Sequence, residues 1–443
     1  MHRRVHHMNR ATAGAVLAVV LIFFAVVVVA GLAFIGLAAA ENVLAITHTL
    51  PAKALYLAEA GCEWGKAWLK AQSTPPAGTQ PILLGETALG DGSYTVTVVP
   101  DIGNLSNYIK HYTIVGLGAV KTPGGPKVRA SKTLTVAMRT ESFARYAYLT
   151  DNERSVNGQT VWFVSADRIT GPAHSNSQFH ISGSPTFEGL VSSTASSFDF
   201  YRGGPPLDNP SFAEGYQLNA SPRDFAALQN LARIESAATA GGLKISATAA
   251  EIRFNADGTM TYRQKKSSWG SWQTRALPGN GVIYVEGDAM VYGTLKGQVT
   301  LAVQQDKSIQ IPGDLRYSKD PGDPECTDML GLVAGQGVVV TKTSPEGANL
   351  TIHAAIMALG THFTVQDYAT IPKMGTLTVY GGIIQKNRGP VGTFSSATGQ
   401  IVTGYTKNYI YDTRLKNRCP PYFPTTGRYE QYAWQESATI FGR

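Results

Sequence analysis

Between Ala15 and Ala40 the chain runs for 26 residues, AVLAVVLIFFAVVVVAGLAFIGLAAA, without one charged side chain. A helix needs about 20 apolar residues to cross the hydrocarbon core of a bilayer, and this run exceeds that. A cleaved secretory signal also begins with positive charge, but its apolar core is roughly 7–15 residues, well short of the stretch seen here. The run therefore predicts a membrane-spanning helix. Arg3, Arg4 and Arg10 precede it, which places the N-terminus on the cytoplasmic side and everything after Glu41 on the other.

Helical spacing does not stop at the membrane. From Glu41 to Gln72, apolar Leu44, Leu55, Leu57, Ala60, Trp64, Ala67 and Trp68 recur against polar Lys53, Glu59, Glu63, Lys66 and Lys70, the pattern of an amphipathic helix. A single helix from Ala15 to about Gln72 follows, kinked at Pro51, which lacks a backbone donor, and stopped by Ser73-Thr74-Pro75-Pro76.

The rest is expected to be mainly β. The chain of 443 residues is long enough for two or three domains, only 16% of it is charged, and it holds 46 glycines and 23 prolines, which excludes a coiled coil, a disordered chain and a mostly helical enzyme. Residues 93–99, 110–116 and 128–138 alternate apolar and polar between turn-rich segments, which predicts three antiparallel strands. From Gly281 onward, runs such as Val282–Val285, Met290–Tyr292, Val299–Val303 and Ile309–Ile311 recur every eight to ten residues, and similar runs continue to Tyr380. Strands this short bury a face only when stacked as rungs, so a β-solenoid is expected, with a β-sandwich as the alternative. A helix over 221–239, with Ser221 as N-cap and Pro222 at its first position, interrupts the strands, and a hairpin is expected around Asn255-Ala256-Asp257-Gly258.

A basic leader, a glycine, an apolar helix that runs on as an amphipathic one, and then strands resemble a type IV pilin. The AEAG run at 58–61 ahead of a Trp-rich turn is similar to the PilX-type minor pilin N-terminal region. Over residues 10–73 that resemblance implies cleavage between Gly14 and Ala15 by a prepilin peptidase, insertion in the inner membrane before assembly, and contact with other pilin subunits through the helix. It implies five segments: a leader over 1–14, the helix over 15–73, a pilin-like sheet over 74–140, a solenoid over 141–427 and a C-terminal strand or tail over 428–443. The fifth residue after cleavage is Val19, where polymerising pilins carry a glutamate. The resemblance thus implies a minor subunit, with a plain anchored envelope protein as the alternative. YAYLTDNE, VWFVSADRITGPAHSN and GSPTFEGLV, within 146–191, are similar to a domain of unknown function in envelope proteins of the Thermus–Deinococcus type.

Candidate chemistry is sparse. His174 with Asp167 could be drawn into a hydrolase triad, but no G-x-S-x-G elbow accompanies it, and a turn residue is the better reading. His353 and His362 read as rung or core packing rather than metal ligands. No cofactor motif or enzymatic activity is expected. Cys326 and Cys419 could pair outside the cytoplasm, or remain two buried small hydrophobes; Cys62 stays alone on the helix.

Two basic and aromatic clusters stand out within a net charge of +7. Residues 262–275 offer Tyr262, Arg263, Lys265, Lys266, Trp269, Trp272 and Arg275 without an acid. Residues 386–418 offer Lys386, Arg388, Tyr405, Lys407, Tyr409, Tyr411, Arg414, Lys416 and Arg418 against the single acid Asp412. Cations neutralise phosphates and flat rings stack on bases, so the clusters are candidate contacts for extracellular DNA; each alone also fits a solvated face. A pilin-like helix carrying a solenoid resembles competence-associated minor pilins of Thermus, which implies a DNA receptor near a pilus tip at the cell surface. A tip adhesin for surface glycan or protein and a priming pseudopilin of a secretion system are the alternatives.

Overall fold

The first helix, α1 (Arg10–Lys70), holds 61 residues and continues through Pro51. The computed structural model describes residues 10–441 apart from 73, 107, 123–124, 226, 342–346 and 396–397; Arg3, Arg4 and Ser73 lie outside the described residues. The two halves of α1 differ. From Val16 to Ala40 the side chains are exposed and apolar, with Phe34 73% accessible, and the segment is long and apolar enough to cross a membrane. From Leu50 onward the helix packs on a sheet through Ala54, Leu57, Ala58, Cys62 and Leu69, all buried.

That buried stripe is narrower than the expected one: Trp64 stays 47% exposed and Ala67 faces solvent. Small residues take the contact because the sheet comes very close. Strands β1 (Ile82–Leu89), β2 (Gly92–Pro100), β3 (His111–Lys121) and β4 (Val128–Ser142) are antiparallel and adjacent in that order. A Cβ on Gly118 of β3 would lie 2.1 Å from the Ala54 carbonyl oxygen, and one on Gly116 2.4 Å from that of Ala58. The expected strands correspond to β2, β3 and β4. β1 escaped notice because it is an edge strand with a bulge at Leu83/Gly85, where alternation is lost. The chain returns at its other end, where Thr425–Glu436 pairs with β4.

The remaining strands form the expected β-solenoid, whose rungs are parallel ladders. One column of paired residues passes through ten rungs: Leu243, Ile283, Leu301, Leu332, Ile356, Ile383, Tyr148, Ala173, Val191 and Tyr216. The order is informative, because the chain enters mid-stack at Tyr148, beside Ile383, and climbs outward to Tyr216. It then travels to the opposite end, Leu243, and walks back to the middle. Nine inter-strand steps span about 43 Å. That distance is covered by residues 218–225 and helix α2 (Ala227–Gly241). α2 starts later than Ser221. Asn176 accepts the Arg223 backbone N–H (2.7 Å) and donates to the Arg223 carbonyl, while Arg223 Nε donates to the Tyr146 hydroxyl. These contacts hold the segment as a strap instead of a first helical turn.

Sheet and solenoid are tied at one junction. Arg139 and Arg145 both reach Glu430, Arg145 also pairs with Glu141, and Thr426 donates to Glu141 at 2.7 Å. The returning strand is thereby fastened where β4 feeds the first rung.

Candidate functional site

The first cluster lies on a hairpin at one end of the stack. Thr259–Lys265 folds back on Ala249–Phe254 and pairs on its other side with Gln273–Ala276. Alternation sends Met260 and Tyr262 inward, both buried, and Arg263 and Lys265 outward. The Arg263 guanidinium sits 4.7 Å from the Trp269 ring centre and 4.6 Å from that of Trp272. It also donates to Glu251 at 2.6 Å, and Glu251 accepts the Tyr292 hydroxyl as well. Its charge is therefore spent locally. Lys265, Lys266 and Arg275 are exposed, and among the described residues none of the three has an ion pair. Arg275 pairs in register with Met260, on the opposite side of the hairpin from Arg263.

The second cluster is not a surface patch. Arg388 is 3% exposed, donates to Glu153 at 3.0 Å and to the Trp162 carbonyl, and lies 3.6 Å from the Phe163 ring centre. Lys407 donates to buried Asp167 at 2.6 Å. Burial lowers its pKa below the ordinary lysine value and the Asp167 carboxylate only partly offsets this. Arg414 grips Asp412 with Nε and Nη2 and donates to the Cys326 carbonyl. Tyr405, Tyr409 and Tyr411 are buried. Burial first, then Asp167, drives the Tyr409 hydroxyl far above its usual range. These residues are thus withdrawn from any phosphate. Lys386, Lys416 and Arg418 remain exposed, Arg418 lying over Tyr108 at 5.2 Å.

What the sequence did not disclose is a cleft beside those ion pairs. One wall of the solenoid runs Ile309–Ile311, Val338–Val340, Phe363–Val365 and stops; Phe163–Val164 pairs only into a separate three-stranded ladder. Residues 388–391 cross the gap. Gln385 Oε1 accepts from the Phe363 and Gly389 amides, and the Pro390 carbonyl accepts from Thr364 Oγ1 at 2.6 Å. Only glycine fits at 389, since a Cβ would lie 1.8 Å from the Phe363 carbonyl oxygen. The space left is about 400 Å³, with Arg388, Lys407 and Asp167 among its lining residues and Trp162, Tyr368 and Phe394 as half-buried aromatic ones. Such a cavity could be anticipated only by knowing that residues 148–169 stack against 363–409.

Other candidates resolve simply. His174 does not meet Asp167. Its Nδ1 lies 2.8 Å from Ser192 Oγ and its Nε2 3.0 Å from Asn176 Oδ1, which assigns the neutral tautomer with hydrogen on Nε2. Burial lowers its pKa to about 4. A base that weak is poorly matched to activating a hydroxyl near neutrality. His353 stacks edge-on between Tyr317 and Tyr380 and accepts the Tyr317 amide. His362 is on a different wall. Cys326 and Cys419 are free and buried, not bridged; burial pushes the Cys419 thiol up to about 11. Both occupy core positions as small apolar groups.

Over residues 107–196 the chain is similar to the family described as Domain of unknown function (DUF4900). That stretch runs from β3 through β4 and the first rungs. No curated protein and no solved structure matches the chain.

Proposed function

We propose that the chain is a pilin-like minor subunit, held in the inner membrane by α1 before assembly and then displayed at the cell surface with its solenoid as a receptor. The observation that carries this reading is the division of α1. One half is uniformly apolar and exposed, while the other is packed on an antiparallel sheet by Ala54 and Ala58 against Gly116 and Gly118. The first half needs a lipid or helical partner, and the second fixes it to the body. Cleavage between Gly14 and Ala15 by a prepilin peptidase is expected; N-terminal sequencing of the mature protein should read from Ala15, and an intact Met1 overturns the reading. Because Val19 lacks a carboxylate, the protein expressed alone should form no filaments in the electron microscope.

Two ligand readings follow from two observations. Exposed Lys265 and Lys266 near Trp269 and Trp272, with exposed Arg275 on the other side of the hairpin, favour a polyanion such as extracellular DNA there. Each phosphate that these cations neutralise should contribute about −0.9 to the log–log salt slope of binding on duplex DNA. A mobility shift at about 50 mM salt, where phosphate contacts are strong, tests it, and no shift overturns it. The aromatic cleft favours the adhesin reading, in which the solenoid holds a surface glycan.

A further inference from the structure

We propose that the cleft between Trp162 and Tyr368 is a binding site for one uncharged sugar residue of a surface glycan. The proposal rests on the adhesin branch of the reading above and names its site and ligand class. Its volume, about 400 Å³, falls in the range of small-ligand pockets, roughly 300–1,000 Å³.

Charge decides what kind of ligand. Arg388 is matched by Glu153, Lys407 by Asp167 and Arg168 by Glu188, so every cation lining the cleft already has a carboxylate partner and none is left over for a phosphate, sulfate or uronate. Asp167 Oδ2 is already occupied, accepting the Val164 amide at 3.0 Å as well as Lys407. A purely apolar ligand fits no better. It would remove Lys407 from water while giving nothing to its remaining N–H donors, since the ammonium has three and Asp167 takes one. Gln385 spends its carbonyl on two backbone amides, leaving its amide nitrogen as a donor.

A neutral sugar satisfies both demands. Its C–H faces pack on aromatic rings, here Trp162, Tyr368 and Phe394, and its hydroxyls accept from Lys407 and Gln385. The ring of Trp162 is held in place edge-on by Tyr201 at 5.1 Å and His180 at 5.6 Å, so little side-chain freedom is lost on binding. The site lies where residues 148–169 meet 363–409, and the break in the wall there is what leaves the aromatic faces open.

The test uses the full chain in detergent with the methyl glycosides of glucose, galactose, mannose and N-acetylglucosamine as probes, and glucuronate and 1-naphthol as controls. Saturation-transfer NMR should show saturable transfer to ring protons of at least one neutral glycoside. Trp162→Ala and, separately, the rim substitution Tyr368→Ala should each weaken it at least tenfold, with circular dichroism confirming the fold. The proposal is overturned if no neutral glycoside binds, if either folded variant binds as well as the parent, or if a control binds more tightly than every neutral glycoside. The measurement requires neither cleavage nor assembly, so its failure leaves the subunit reading intact.

Discussion

Residues 262–275 and 386–418 both interleave cations with aromatic rings, and the fold treats them differently. In the first, the strand is paired at the end of the stack and its outward side chains stay in water, so Lys265, Lys266 and Arg275 remain available. In the second, strand 401–411 lies inside the stack, parallel to 373–387; Arg388, Lys407 and Arg414 are drawn into pairs with the buried carboxylates Glu153, Asp167 and Asp412, while Lys386, Lys416 and Arg418 stay exposed. Composition alone therefore marks a stretch as chemically unusual without saying whether it faces a ligand or holds the molecule together. The difference lies in position along the stack.

The comparison breaks most readily on its buried side. Arg388→Met leaves Glu153, which is 0% exposed, without its cation, and breaking a buried pair in this way costs about 3–5 kcal/mol. A urea melt should show the loss; an unchanged midpoint would mean that the pair is solvated. Restoring neutrality with the double variant Arg388→Met, Glu153→Gln should recover part of it. The next effect is a pH dependence. The folded pKa of His174 is about 4 against an ordinary 6.5, so the unfolded chain takes up the proton first as pH falls. Stability from this group is complete above about pH 6.5, declines between 6.5 and 4, and levels off below 4. The total is about 3 kcal/mol. His174→Asn should flatten that part of the profile in denaturant titrations.

On the exposed side the effects on stability are smaller. Arg263→Ala removes a guanidinium from beside two rings and from a partly buried pair with Glu251, a loss of about 1–2 kcal/mol. Smallest of all, Lys265→Ala with Lys266→Ala should move stability by less than about 0.5 kcal/mol. The salt slope of duplex binding should nonetheless fall by about 1.8. Lys407→Ala in the same assay should leave the slope unchanged. A fall there would sink the distinction between the two clusters.

Much of the fold is legible locally. The uncharged run of 15–40 and the helical spacing beyond it are carried by neighbours in sequence, as are the alternation in β2, β3 and β4 and the short runs after Gly281. Helix α1 and the rungs formed where they were expected. The start of α2 was misplaced because Asn176, 47 positions away, competes for the Arg223 amide. The buried stripe of α1 was misjudged because hydrophobicity ranks Trp64 above Ala58, whereas the close approach of Gly116 and Gly118 favours the smaller side chain.

The sequence by itself determined that the chain has an apolar helix long enough for a bilayer, an antiparallel sheet and stacked short strands, because each depends on a period of 3.6 or 2 within a few residues. Only the tertiary structure decided that the chain enters the solenoid in its middle, so that Tyr148 follows Ile383. Nothing periodic records which rung will lie beside which. That single placement brings Asp167 to Lys407 across 240 positions and Glu153 to Arg388 across 235. It withdraws Arg388 and Lys407 from an apparent basic surface into ion pairs and opens the cleft beside them. A charge's availability depends on its solvent and its nearest counter-charge, and both are set by contacts distant in sequence.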